Sequence, residues 1–182
     1  MSLKSDIEAW DGQSAAALCR IHETHRDDPQ LAPELVELIG SLRYRMAATR
    51  LLKRHLEAEI PLPDPHAVAR ALFARLDKLE HWECRLNVLQ CLPHLPLDDD
   101  DDGVAAVEQF LRTCLADGNK FVRAWAYNGF HWLAGRHPRF AGEAAAILEA
   151  GLRDEEASIK ARIRKCLDAD ANEAGKTGDA HE

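Results

Sequence analysis

Four basic residues recur almost evenly along the chain, Arg45, Arg85, Arg123 and Lys160, at spacings of 40, 38 and 37. The same pattern returns around each. One position earlier stand Tyr44, Cys84, Val122 and Ile159; three later stand Ala48, Val88, Ala126 and Ile163. Six later come Leu51, Cys91, Gly129 and Cys166, and seven later Leu52, Leu92, Phe130 and Leu167. At about 100° per residue these offsets share one helix face. A period in this range belongs to helical-pair repeats and exceeds the ankyrin and tetratricopeptide periods. Each pair has an apolar face that it cannot bury alone, so neighbouring pairs must stack.

The intervening chain supports the same reading. Residues 13–26 pattern as a first helix with Ala17, Leu18 and Ile21 inward, stopped by Asp27-Asp28-Pro29. Further helices are predicted at 31–39, 41–59, 66–79, 82–92, 104–115, 119–135, 140–152 and 157–167. The prolines at 61, 63 and 65 make a loop and not a domain boundary, because the pattern resumes after them. No alternating β-branched run is found, so the expected class is all-α. The expected divisions are an N-terminal capping helix over 1–30, a repeat array over 31–168 and a polar, disordered tail over 169–182.

At this point the sequence resembles the HEAT repeat family and its armadillo-like relatives. The resemblance rests on an acid followed by Val/Ile and Arg/Lys at the opening of each second helix. Asp117 with Val122-Arg123 and Asp154 with Ile159-Lys160 keep one step, while Asp77 lies farther from Arg85 and Cys84 replaces the β-branched residue. The resemblance implies a right-handed α-α superhelix of about four HEAT-like helix pairs, with Asp–Arg pairs as a ladder joining repeats. It also implies a scaffold that binds partners.

Composition limits the function. The net charge of -8 argues against a protein wholly devoted to nucleic acid. No apolar run reaches the roughly 20 residues needed to span a bilayer, and the opening residues lack a secretory core, so a cytoplasmic location is expected. Five scattered cysteines without a Cys-x-x-Cys pair read as reduced, buried thiols.

The residues opposite the core face are the candidates for binding. Five positions after the basic markers stand Arg50, Gln90, Asn128 and Lys165; eight after stand Lys53 and His131; Tyr127 and Arg164 sit at the edge of the strip. Basic residues gather on second helices and acids on first helices and loops. The expected function is a non-catalytic scaffold binding a protein partner of acidic or mixed charge along this surface, without a cofactor. The alternative is a nucleic-acid binder resembling HEAT-like DNA-alkylation-repair proteins, which use concave Arg, Lys and Trp; a third is an enzyme with a site in the same groove. Cys19-x-x-His22-x-x-His25 has metal-ligand residue types, but its steps of three drift around the helix and no fourth ligand is evident, so no metal is expected and both histidines are read as surface residues. The run Asp98 to Asp102 lacks a calcium-loop pattern and reads as a solvated loop favouring the next helix N-terminus. No nucleophile elbow or phosphate-binding loop occurs, and no catalytic residue is assigned.

Overall fold

The computed structural model describes the backbone of residues 2–178 and the side chains of residues 2–168. The described chain is all-α, with no strand: α1 (Leu3–Glu8), α2 (Ala15–His25), α3 (Leu31–Ile39), α4 (Arg45–Glu57), α5 (Pro65–Phe73), α6 (Trp82–Cys91), α7 (Asp101–Leu115), α8 (Lys120–Arg136), α9 (Ala141–Asp154) and α10 (Ala157–Gly178). Short polar side chains start several helices by accepting from orphan N–H groups. Ser14 accepts from Ala17 at 3.1 Å, Asp64 from Ala67 at 2.8 Å just ahead of Pro65, and Asn119 from Phe121 at 2.9 Å.

Three elements depart from the sequence expectations. The six-residue α1 was missed, although Leu3 and Ile7 stand at i and i+4 and both are buried. The helix expected over 66–79 stops at Phe73 and resumes as a 3₁₀ turn, Leu76–Lys78. The tighter turn puts Leu76 and Leu79, three apart, on one side, and both are buried. Finally, α10 runs on to Gly178, into the stretch assigned to the tail. Extending a formed helix avoids the nucleation cost, so alanines there suffice without an apolar stripe. Residues 179–182 lie outside the described residues.

The chain divides between Phe110 and Leu111 into two compact units. Within the first unit, first helix packs on first helix (α3 on α5) and second on second (α4 on α6), with α2 against α4. Within the second unit, α8 packs on α10 and both pack on α9. The repeat register describes the interior of both. Ala48, Val88, Ala126 and Ile163 are buried, as are Leu51, Cys91, Gly129 and Cys166. Leu52, Leu92 and Phe130 are fully buried too, but Leu167 is 39% exposed and breaks the fourfold match.

Glycine at two positions is a matter of space. A Cβ on Gly129 would lie 2.3 Å from Leu111 Cδ2, and one on Gly151 would lie 2.6 Å from both Ile163 Cδ1 and the Tyr127 ring. Their absence lets α7 approach α8, and α9 approach both α8 and α10. Ala124, Tyr127, Leu148, Ile159 and Ile163 form the core that results.

Candidate interaction surface

The basic markers turn out to be helix terminators. Arg45 Nε donates to the Ile39 carbonyl at 2.8 Å, Arg85 Nε to Leu79 at 2.7 Å, Arg123 Nη1 to Asp117 at 3.0 Å and Lys160 Nζ to Arg153 at 2.8 Å. Each cation reaches back to carbonyls at or just past the end of the preceding first helix, where the helix leaves acceptors unpaired and the dipole favours positive charge. Arg45 and Arg123 also tie one hairpin to the next. Arg45 Nη1 donates to Lys78 O at 2.6 Å, and Arg123 binds the Glu155 carboxylate through Nε at 3.0 Å and Nη2 at 3.3 Å. The hydrogen bond to Glu155 holds the Arg123 guanidinium above its ordinary pKa.

Of the strip chosen for binding, part is drawn into packing. Arg50 is half-buried; its Nε donates to Glu83 Oε1 at 2.7 Å, its Nη2 contacts the same oxygen, and its guanidinium lies 5.4 Å from the Trp10 ring centroid. Tyr127 is buried, not at an edge, because α10 covers that side of α8. Its hydroxyl donates to Glu155 at 3.3 Å; burial, and then the nearby carboxylate, raise its pKa. Asn128 Oδ1 accepts from Cys166 Sγ at 2.9 Å. Lys53 reaches Glu57 on its own helix at 3.6 Å. Gln90 is half-buried on α6, and half-buried His131 lines a depression of about 250 Å³ together with Leu167. Arg164 and Lys165 are exposed on α10. The strip is therefore no single face: it gathers inter-hairpin ties in both units and open cations on α10.

Sequence reasoning passed over the stacked cations of the second unit. The Arg162 guanidinium lies 3.5 Å from the Trp125 ring centroid, and that of Arg136 lies 4.6 Å from Trp132. Arg162 Nε and the indole Nε1 of Trp132 are buried and have no hydrogen-bond partner among the described residues. Burial lowers both guanidinium pKa values, although arginine stays charged. The Trp132–Arg136 couple was legible as an i, i+4 pair; the Trp125–Arg162 couple needs α8 beside α10.

The other expected clusters resolve into structure. His22 is buried and is no surface residue: it shares α2's inward stripe with Leu18 and Ile21, and its Nε2 faces His55 Nδ1 at 3.3 Å. His25 Nε2 faces Asp6 Oδ2 at 2.7 Å. The two histidines of the Cys19-His22-His25 motif thus face different partners, and among the described residues no three metal-ligating side chains gather. In the acidic run, Asp98 meets His66 at 2.6 Å and Arg70 at 3.3 Å, while Asp100 accepts from Gly103 N at 2.6 Å. All five cysteines are free, and burial raises the thiol pKa of Cys84 and Cys91.

One further pattern recurs at the starts of second helices. Leu42 is 79% exposed, Trp82 40% and Phe121 55%. They stand three, three and two residues before Arg45, Arg85 and Arg123. Each has a basic or imidazole neighbour: Arg43 follows Leu42, His81 stacks on Trp82 and Lys120 lies over Phe121. No helix among the described residues is long and apolar enough to cross a membrane. No family model, curated protein or solved structure matches the chain.

Proposed function

We propose that the chain is a HEAT-like α-solenoid acting as a non-catalytic interaction module, which takes a protein partner of acidic or mixed charge on its second helices. The observation that carries this reading is the repeated exposure of Leu42, Trp82 and Phe121 at the openings of three second helices, each beside a basic or imidazole group. A single exposed apolar side chain needs no explanation. Three at nearly one register position do, because the core positions of the same repeat bury their apolar residues. Large apolar anchors beside basic groups are what a partner with apolar and acidic side chains desolvates most favourably.

The test is affinity capture from native lysate with the wild type and a Leu42→Ser/Trp82→Ser/Phe121→Ser variant. These sites are outside the core, so the variant keeps its fold, checked by circular dichroism. Loss of the captured proteins is the expected result. Recovery of the same proteins by both would overturn the reading, and capture that disappears on nuclease treatment would replace it with nucleic-acid binding.

A further inference from the structure

Several arginines of this acidic chain are answered by its own carboxylates. Arg43 meets Glu8 at 3.3 Å, Arg112 meets Glu143 at 2.7 Å, Arg123 meets Glu155 at 3.0 Å, and Arg50 meets Glu83. Arg162 and Arg136 are different. Each lies on an indole, Arg162 half-buried and Arg136 exposed, and neither has a carboxylate or other hydrogen-bond acceptor among the described residues. Among the same residues, Arg162 Nε is buried and unpaired, as is Nε1 of Trp132, itself only 7% exposed. Buried donors without acceptors are costly and rare. Two stacked cations on one helix pair thus stand without a carboxylate among the described residues.

The first unit shows what fills such a place. Trp10, Arg50 and Glu83 form a plate, a guanidinium and a carboxylate. Trp125 with Arg162 repeats the plate and the guanidinium without the acid. An indole under a guanidinium holds its plane and leaves the N–H edge free, the geometry a carboxylate grips with two parallel hydrogen bonds.

We propose that the α8–α10 face is a binding site for the side-chain carboxylates of an acidic protein segment, received by Arg162 on Trp125 and Arg136 on Trp132. Trp125 and Trp132 are two helical turns apart, about 10 Å, so two carboxylates of one extended segment reach both couples. Carboxylate is chosen over phosphate because the filled couple in this chain holds one, and because a net charge of -8 disfavours a long polyanion. The proposal deepens the reading of the chain as a binder of acidic protein and rests on it, yet its test needs no cellular partner.

The full chain is titrated into fluorescein-labelled octaglutamate, with octaglutamine as the uncharged arm, and followed by anisotropy. Wild type binds the acidic peptide and not the neutral one. Arg162→Gln weakens binding about tenfold, the loss of one charge-assisted contact, and adding Arg136→Gln brings it to the octaglutamine level. Arg162→Lys, which keeps the charge and loses the planar fork, weakens it about threefold and serves if the glutamine variant does not fold. Arg20→Gln, an equal loss of charge at an exposed site on α2, leaves binding unchanged. Equal affinities of wild type and folded Arg162→Gln, or an equal loss in Arg20→Gln, would overturn the site. So would tighter binding of an oligothymidylate through the same arginines, or self-association of the chain as the only Arg162-dependent event. Peptide binding lost while lysate capture persists removes this site alone; capture lost while peptide binding persists removes the broader reading alone.

Discussion

Each unit stacks an arginine of a second helix on a tryptophan, Arg50 on Trp10 and Arg162 on Trp125, and they finish the couple differently. In the first, Arg50 on Trp10 is closed by Glu83 from the opening of the next second helix. In the second, Arg162 on Trp125 has no acid among the described residues. The same local chemistry is thus a tie between hairpins in one place and an open cation in the other. What decides is not the couple but whether a neighbouring element delivers a carboxylate to it. A basic residue on a repeat surface is therefore weak testimony to ligand binding until its intramolecular acids have been counted.

Substitutions that equalise the units test this comparison. The largest effect is expected in the core register. Leu52→Ala in the first unit, fully buried, should cost about 2–5 kcal/mol in urea unfolding, whereas Leu167→Ala in the second, partly exposed, should stay within about 0.5 kcal/mol. Equal costs would mean that both positions are interior. Next comes opening the closed couple. Glu83→Gln leaves half-buried Arg50 without its ion pair and should cost about 1–2 kcal/mol. It should also give the first unit weak affinity for the acidic peptide that wild type binds only in the second.

A graded effect follows from the first unit's buried histidines. His22 and His55 face each other, with Glu23, Arg26 and Arg54 as the charged neighbours; burial, ahead of the arginines, lowers the pKa of His22, and burial, ahead of His22 and Arg26, that of His55. The folded state therefore resists protonation more than the unfolded chain does. Their contribution to stability is complete above the unfolded histidine pKa of about 6.5 and is lost as pH falls from there through the lowered folded values. Thermal unfolding at descending pH should show the loss, and His22→Leu should flatten it. The smallest effect is expected from closing the open couple: Lys165→Glu places an acid three residues from Arg162 on α10. It should leave the melting temperature unchanged and weaken acidic-peptide binding about threefold, the scale of an exposed, screened charge.

The sequence by itself determined the helices, their pairing period and most of the interior. Val88, Ala126 and Ile163 are buried because a stripe at helical spacing must face a neighbour, whichever neighbour it is. That information is one-dimensional, and reading it needs no knowledge of where adjacent helices stand. The tertiary structure alone decided which polar residues face solvent. Arg50 and Tyr127 read as surface from their offsets, yet one is tied to Glu83 and the other is buried beneath α10. Their fates depend on partners about thirty residues away, which the spacing along their own helix does not report. Helical periodicity fixes which way a side chain leaves its own axis; only packing fixes what it meets.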